Sequence, residues 1–362
     1  MRRVRARGAD VRRFILEKLQ RHPTNIGRVA AEHFGITRQA VNKHLDRLLK
    51  ENAIIQTGRT RGRAYGLAAL LQWRGAFEIS AGMAEDVVWR DPIAKVLGEL
   101  PDNVLTIWNY GFTEMFNNAL DHSRGTWIHV GIKKTAVTTE MALLDDGIGI
   151  FRKIQTALNL LDERHAVLEL AKGKLTTDPS RHSGEGIFFS SRVFDEFDIR
   201  SGGVSFSHQF RDDWDWTGRR DAAASPGTFV WMKLSNHTAR TLGKIFDQYT
   251  SGDDYGFSKT TVPVKLARYG HENLISRSQA KRLLARVELF KVVILDFHEV
   301  PSIGQAFADE IFRVFQATHP EIQLAPIHAN PQVKRMIARA RSNAAAPPQS
   351  DRQSSKEPRR RS

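Results

Sequence analysis

Residues 112–122 have the sequence FTEMFNNALDH, and residues 143–150 have the sequence LLDDGIGI. The first stretch has helical apolar spacing, and Glu114, Asn118 and His122 are four residues apart, so they share one helical face. On such a face a carboxylate can take a proton from a nucleophile, and an amide oxygen can bind a hard cation such as Mg²⁺. Polar residues four apart are also typical of a solvated helix surface, so this spacing alone leaves both interpretations open.

The second stretch places Asp145 at the end of an apolar strand and follows it with Gly147 and Gly149. A carboxylate at such a position can accept a hydrogen bond from an exocyclic amine. The two glycines would let the backbone approach a flat base closely. A simple hairpin turn would have the same composition, so this motif is also ambiguous when taken alone.

Two further glycine motifs follow in the chain. Residues 183–189, SGEGIFF, put Gly184 and Gly186 at the start of a helix, where backbone N–H groups can bind phosphate oxygens. Residues 226–230, PGTFV, open the last strand of this region with a Gly-Thr pair that includes Thr228. Each motif is weak evidence by itself, but their order and spacing form a specific set.

This ordered set resembles the motifs of the GHKL ATPases, a family that includes histidine kinases, type II topoisomerases and the bacterial anti-sigma serine kinases. The match covers residues 77–236. The resemblance implies a two-layer α/β (Bergerat) sandwich that holds ATP and Mg²⁺ between its helices and its sheet, with residues 151–182 as a lid. Asp146 stands where the family often has asparagine.

The resemblance also implies a role for each motif residue. The catalytic residue would be Glu114, which would activate water or an acceptor hydroxyl. The metal ligand would be Asn118, which would bind Mg²⁺, and Asp145 would accept a hydrogen bond from the adenine amino group. Gly147 and Gly149 would line the base, and Gly184 and Gly186 would hold the phosphates. Thr228 would support the pocket. The region lacks a dimerisation helix with an acceptor histidine, so it does not resemble a sensor histidine kinase.

The positive charge of the chain is concentrated near its start. Residues 1–70 contain 16 Lys and Arg against 5 Asp and Glu, whereas residues 71–341 are neutral. A basic segment on a neutral body indicates an anionic polymer as its partner. Apolar spacing in this segment predicts three helices and a hairpin: helices over residues 10–20, 25–34 and 37–51, the last capped by Thr37, and strands over residues 53–56 and 64–67.

These elements resemble a winged helix-turn-helix domain over residues 8–70, which implies double-stranded DNA as a partner. Four side chains on the polar face of the third helix can reach bases and phosphates: Arg38, Gln39, Asn42 and Lys43. Three arginines on the hairpin suit phosphates beside the groove: Arg59, Arg61 and Arg63. A winged helix used only for protein contacts is the alternative.

Between the basic segment and residue 258 the pattern is α/β. Residues 71–100 are predicted to be a mixed connector. Strands are predicted over residues 126–133, 139–144 and 227–234, and helices over residues 103–122, over residues 151–182 with a polar insert, and after Gly186.

Residues 260–341 alternate strand and helix. Strands are predicted over residues 262–266, 292–297 and 322–328, and helices over residues 276–289, 303–317 and 332–341. Residues 293–307, VILDFHEVPSIGQAF, resemble the strand–loop–helix of STAS-like domains, the anti-sigma antagonists that the serine kinases phosphorylate. The basic tail, residues 342–362, has a composition typical of disorder.

The phosphorylated members of that group have a serine where this helix opens. This chain has Gln305 and Ala306 there, with Ser302 further upstream. The departure argues against phosphorylation of this unit and favours a role in binding a partner protein.

Composition excludes several classes of protein. The chain has no cysteine, which excludes disulfides, thiolate zinc sites and cysteine nucleophiles. No run approaches eighteen apolar residues and the start lacks a secretory apolar core, so we expect a cytoplasmic protein without a membrane partner.

The sequence therefore predicts a multidomain α/β chain: a winged helix-turn-helix domain (1–70), a GHKL domain (77–236), a STAS-like domain (260–341) and a tail. The favoured function is an ATP-binding, DNA-binding transcriptional regulator. One alternative is a serine/threonine protein kinase of the anti-sigma type, acting on a partner protein or on Ser302. The other is a scaffold that does not use nucleotide. A dimer would fit, but the sequence does not determine the oligomeric state.

Overall fold

The computed structural model describes residues 3–176, 183–210, 214–219, 226–250, 256–268 and 272–345. The chain is mixed α/β, as predicted, and divides into two compact units, Met1–Ser258 and Lys259–Ser362. No described helix is both long and apolar enough to cross a membrane.

The basic segment folds into three helices and a two-stranded antiparallel hairpin. Its elements are α1 (Arg3–Lys18), α2 (Ile26–Phe34), α3 (Arg38–Lys50), β1 (Ile54–Thr57) and β2 (Ala64–Leu67). As predicted, Thr37 caps α3, and its side chain accepts a hydrogen bond from the Ala40 N–H at 3.2 Å. The first helix begins seven residues earlier than its apolar pattern, because the Arg- and Ala-rich segment before Asp10 consists largely of good helix formers.

The rest of the first unit is built on a seven-stranded antiparallel sheet in the order β3-β4-β5-β9-β6-β7-β8. Its strands are β3 (Leu71–Glu78), β4 (Trp127–Lys134), β5 (Thr138–Asp145), β6 (Glu196–Ser201), β7 (Val204–Gln209), β8 (Trp214–Arg219) and β9 (Thr228–Ser235). The strand β3 corrects the prediction of a mixed connector over residues 71–100. Strands β6, β7 and β8 were not predicted.

Within the described residues, seven α-helices accompany this sheet, and a π-helical segment, Trp89–Ile93, joins the first two. They are α4 (Glu85–Val88), α5 (Ala94–Leu97), α6 (Asp102–His122), α7 (Ile150–Ala157), α8 (Glu163–Lys172), α9 (Gly186–Val193) and α10 (Leu242–Gln248). The long helix α6 packs on β5, β9 and α9. The apolar face that it buries consists of Val104, Ile107, Trp108, Phe112, Met115, Phe116 and Ala119. The predicted catalytic and metal-binding side chains, Glu114 and Asn118, are half-buried beside this face.

The second unit has a parallel sheet of three strands, β10 (Lys259–Pro263), β11 (Val292–Asp296) and β12 (Gln323–Ile327). Its helices are α11 (Arg277–Leu284), α12 (Gln305–Asp309), α13 (Gln316–Thr318) and α14 (Pro331–Ala345), with a π-helical segment, Glu310–Phe315, joining α12 to α13.

Three elements in this unit have bounds that differ from the prediction by three residues or more, and the first of them, β10, begins at Lys259 instead of residue 262. The first strand ends at Pro263, after which Val264–Ala267 form a 3₁₀ turn. The helix that begins with the predicted Ser276–Gln279 capping box stops at Leu284 instead of residue 289, because Arg286 adopts a left-handed conformation with φ +62°. The last helix continues to Ala345, so residues 342–345 are helical instead of disordered. The remainder of the predicted tail lies outside the described residues.

Candidate functional site

A cavity of about 280 Å³ opens between α6 and the sheet of the first unit. Its lining includes every residue predicted for the nucleotide site except one: Glu114, Asn118, Asp145, Gly149, Gly184, Gly186 and Thr228. Residues far apart in sequence therefore meet around one space. Helix α6 supplies two of them, the ends of β5 and β9 supply two more, and the start of α9 supplies Gly186.

The carboxylate of Asp145 is fixed in the cavity wall. Its side chain is buried, and Oδ1 accepts hydrogen bonds from the N–H groups of Gly147 at 2.9 Å and Thr228 at 3.2 Å. Burial raises the pKa of this carboxyl above its ordinary value, although both backbone bonds act in the opposite direction. Asp145 is therefore a rigid acceptor whose charge is only partly compensated by the protein.

Gly147, the one predicted residue that does not line the cavity, lies behind Asp145 against the end of α6. A Cβ at this position would collide with the carbonyl oxygen of Ser123, and that oxygen also accepts a bond from the Ile148 N–H at 2.9 Å. The absence of a side chain lets the loop close on the helix. Gly147 thus positions the Asp145 loop in this structure.

Glu114 lies directly against the start of α9. A Cβ on Gly186 would occupy the position of the Glu114 Oε2, so the absence of a side chain there lets the carboxylate lie against this backbone. The charge of this carboxylate also affects Tyr110, one turn earlier in α6. The pKa of the Tyr110 phenol is raised mainly by burial, and the charges of Glu114 and Glu185 raise it further. The predicted catalytic carboxylate therefore faces the predicted phosphate-binding backbone.

Thr228 connects three parts of the cavity wall. Its N–H donates to Asp145, while its Oγ1 accepts a hydrogen bond from the Ile150 N–H at 3.0 Å. It therefore holds the start of β9, the loop after β5 and the first turn of α7 together, which is the supporting role that the sequence implied.

Lys153 is a lining residue that the sequence prediction missed. Of the lining residues described, it is the only lysine or arginine, and its Nζ donates to the carbonyl oxygen of His122 at 3.2 Å. Burial lowers its pKa, and the charge of Arg124 lowers it further, while Asp121 offsets part of the shift. A signal existed in the sequence, since Lys153 follows Gly149 by four residues on the first turn of a predicted helix.

The segment predicted as a lid contains two helices with a break, as its polar insert indicated. Helix α8 is buried from His165 to Lys172, and Lys172 Nζ lies 2.7 Å from Glu169 Oε1 within that buried face. Ile154 and Leu170, from the two helices, line the cavity. The last six residues of the predicted lid, 177–182, lie outside the described residues.

Asp146 has a structural partner that accounts for a carboxylate at this position. Its Oδ1 accepts hydrogen bonds from the N–H groups of Thr126 at 2.6 Å and Trp127 at 3.0 Å, which join the loop to the start of β4. These backbone bonds lower the pKa of Asp146 below its ordinary value. The side chain is exposed and does not line the cavity.

The cavity offers few protein ligands for Mg²⁺. No cluster of three His, Asp or Glu side chains within the described ranges could hold a metal by itself. Mg²⁺ usually keeps several waters and takes only one or two protein oxygens together with phosphate oxygens. The amide of Asn118 on the cavity wall is compatible with that mode of binding.

The predicted DNA-contacting residues lie on exposed surfaces of the first unit. On α3 the buried residues are Val41, Leu45 and Leu48, and the exposed ones include Arg38, Gln39, Asn42 and Lys43. On the hairpin, Arg59 and Arg63 are exposed, whereas the side chain of Arg61 lies outside the described residues. The pKa of His44, also on α3, is lowered by burial and then by the charges of Arg12 and Arg47.

In the second unit α12 begins at Gln305 after Gly304, so neither the first nor the second residue of this helix is a serine. Ser302 lies half-buried in the loop between β11 and α12.

Residues 279–334 match the model of a family described as a STAS-like domain of unknown function (DUF4325). This match confirms the STAS-like part of the sequence prediction. No curated protein matches the chain.

Proposed function

We propose that the cavity of the first unit binds ATP with Mg²⁺ in the manner of the GHKL ATPases. The observation that supports this proposal is the convergence of four separate sequence motifs on one cavity. If these residues were only solvated positions on turns and helix faces, they would not be expected to line a single cavity. The two-layer sandwich of that family fits the antiparallel sheet with α6 against it.

Each wall of the cavity would have a distinct task in this proposal. Asp145 would accept the hydrogen bond of the adenine amino group, and the first N–H groups of α9 would donate to phosphate oxygens. Asn118 would bind Mg²⁺, which would supply positive charge next to the phosphates. Glu114 would take the proton from an attacking water or hydroxyl.

For the whole chain we propose an ATP-dependent transcriptional regulator of the bacterial cytoplasm. A winged helix-turn-helix formed by α1–α3 and the hairpin would bind double-stranded DNA, and the STAS-like unit would bind a partner protein. One contact inside the first unit offers a route for coupling. Strand β9 carries Thr228 at the cavity and, five residues later, Lys233, whose Nζ lies 3.4 Å from Oε1 of Gln20 next to α1.

The test is calorimetry of the full-length chain with ATP, with and without Mg²⁺. We expect Mg²⁺-dependent binding in the wild type and none in Asp145→Asn or Asp145→Ala. Asparagine keeps an acceptor for Gly147 and Thr228 but lacks the charge. Asp146→Asn, which changes the adjacent exposed carboxylate, is the matched control and should bind normally. ATP binding of wild-type strength by Asp145→Ala, with its fold intact by circular dichroism, would refute the assignment.

A second candidate is a serine/threonine protein kinase of the anti-sigma type. It is favoured by the position of Glu114, whose carboxylate lies against the start of α9, where a transferred phosphoryl group would be held. Phosphorylation of a partner protein, lost in Glu114→Ala, would support this candidate over a binding switch.

A further inference from the structure

The carboxyl ends of the three parallel strands in the second unit bring together several ionisable side chains. Asp296 is the last residue of β11, and His328 follows directly after β12. The neighbouring loop contributes His298, whose ring centroid is 6.2 Å from that of His328. Side chains at this edge of a parallel sheet face outward from the strand ends, where α/β proteins commonly place reactive groups.

Asp296 and His328 form a fixed pair. The His328 Nδ1 lies 2.9 Å from Oδ1 of Asp296, and the same oxygen accepts a hydrogen bond from the backbone N–H of His298 at 2.9 Å. The Asp296 side chain is only 5% exposed, whereas that of His328 is 58% exposed. The carboxylate is therefore held in place under an imidazole that is open to solvent.

The hydrogen bond determines which ring nitrogen can react. Because a carboxylate accepts at Nδ1, that nitrogen carries the proton, and the lone pair of the neutral ring is on Nε2. A carboxylate partner also stabilises the positive charge that develops when Nε2 forms a bond, as it does for working histidines in general.

The loops around the pair are braced and contain two cations. The Asn330 Nδ2 donates to the carbonyl oxygens of Val300 at 3.0 Å and Pro301 at 2.9 Å, which joins the loops that follow β12 and β11. Lys265 Nζ lies 2.9 Å from Oε2 of Glu299, and Arg268 donates to the Glu299 carbonyl oxygen at 3.2 Å. Both cations are therefore held at Glu299, and their two positive charges are matched at this edge by the carboxylates of Glu299 and Asp296.

We propose that His328 is a phosphoryl acceptor of the second unit, with Asp296 as its positioning residue. The Nε2 lone pair attacks the phosphorus of a phosphoric anhydride, such as the terminal phosphoryl group of a nucleoside triphosphate. An N–P bond forms as the bond from phosphorus to the leaving oxygen breaks, and the leaving group departs with that electron pair. The Nδ1 proton stays between the ring and Asp296, whose charge balances the imidazolium. ATP as the donor rests on the function proposed above.

The experiment uses two donors on the full-length chain. Phosphoramidate labels histidines without any nucleotide site, whereas Mg·ATP requires the cavity of the first unit. Peptide mapping at neutral pH should place an acid-labile phosphoryl group on His328, and ³¹P NMR should assign it to Nε2. Phosphoramidate should label His328 about tenfold faster than His319, because the Nδ1 of His319 lies against the Thr318 hydroxyl and the Phe315 carbonyl oxygen instead of a carboxylate.

Three variants test the chemistry. His328→Asn, which tolerates the left-handed backbone at φ +50°, should lose this label. Asp296→Asn keeps a hydrogen-bond acceptor but lacks the charge, so it should slow labelling about tenfold and reduce the preference for Nε2. His319→Asn is the control and should leave the His328 label unchanged, because His319 precedes β12 and His328 follows it, at opposite ends of the strand.

Phosphoramidate labelling of His328 no faster than that of the other exposed histidines would overturn the proposal, whatever ATP does. Label from phosphoramidate together with ATP binding but no label from ATP would support the acceptor and assign the donor to another protein. Failure of the chain to bind ATP would refute the proposed function alone.

Discussion

Burial shifts the pKa values of Asp145 and Lys153 in opposite directions. Burial raises the pKa of the carboxyl and lowers that of the ammonium group, because in both cases it disfavours the charged form. A ligand that brings a hydrogen-bond donor to one and an anionic oxygen to the other would relieve both effects. A phosphorylated nucleotide has both groups, whereas a nucleoside has only the first.

Lys153 should therefore contribute to binding of the phosphates but not of the base. We expect Lys153→Gln to weaken ATP binding by about 2 kcal/mol, the usual contribution of a charged hydrogen bond, and to leave adenosine binding nearly unchanged. Calorimetry with ATP, ADP and adenosine measures the difference, and Arg152→Gln, an exposed neighbour on α7, is the control. Equal losses for ATP and adenosine would show that Lys153 only supports the fold.

Among the secondary-structure elements, the sequence predicted best those whose apolar residues repeat with one regular spacing. Helix α6 was predicted over residues 103–122 and spans Asp102–His122, because its buried residues repeat with helical spacing over five turns. The hairpin strand β2 was predicted to the residue, since Gly58 marks the turn that precedes it.

The elements that were missed have physical reasons. Strand β3 lies at the edge of the sheet, and its inward residues are only half-buried. Leu71, Trp73 and Phe77 alternate with polar residues, but Gly75 takes the inward position between Trp73 and Phe77 and weakens the strand signal. Strand β6 alternates polar and apolar residues but has only two apolar ones, Phe197 and Ile199, so its pattern was too short to be recognised. The site residues were predicted from motif chemistry, which does not depend on burial, and their roles stay a prediction. Lys153 was missed because it belongs to no motif.

The one-turn separation of Glu114 and Asn118 on α6 allows their roles to be separated. Glu114→Ala should leave ATP bound and stop any turnover, because it removes the proton acceptor without removing a metal ligand. Asn118→Ala should weaken Mg²⁺·ATP itself. Binding by calorimetry and turnover by phosphate release distinguish the two. Wild-type hydrolysis in both variants would contradict the roles, and no turnover in the wild type would indicate a binding switch.

Across the whole molecule, charge and polar chemistry are distributed unevenly. The 16 Lys and Arg of residues 1–70 accompany exposed polar side chains on α3, and the cavity lies in the remainder of the first unit, where residues 71–258 hold 20 Lys and Arg against 26 Asp and Glu. The sequence also predicted the second unit correctly as STAS-like, from a strand–loop–helix pattern that the family match supports. The boundary between the basic segment and the sheet, placed at residues 70–77, stays a prediction.

The face of α3 should determine which DNA sequence is bound. Gln39→Ala or Asn42→Ala should cost about 1–3 kcal/mol on a preferred site and little on random DNA, because amide side chains form paired hydrogen bonds with base edges. A binding-site selection with the wild-type chain identifies the preferred site, and fluorescence anisotropy measures the variants. Equal losses on both kinds of DNA would assign these residues to the phosphate backbone.

The basic segment as a whole should determine affinity and its dependence on salt. The wild-type chain should bind duplex DNA with an affinity that falls steeply as salt rises, because its positive side chains displace counterions from phosphates. Replacing Arg59, Arg61 and Arg63 together with glutamine should weaken binding to every sequence about equally and reduce the salt slope by about one unit for each lost contact. A matched control replaces three basic residues exposed outside the segment, Arg74, Lys133 and Arg152, and so removes the same charge elsewhere. If the two triple variants lost affinity equally, net charge alone would explain binding. If neither lost any, or if binding did not depend on salt, α1–α3 and the hairpin would be a surface for protein contacts, and the proposed regulator would have no DNA-binding domain.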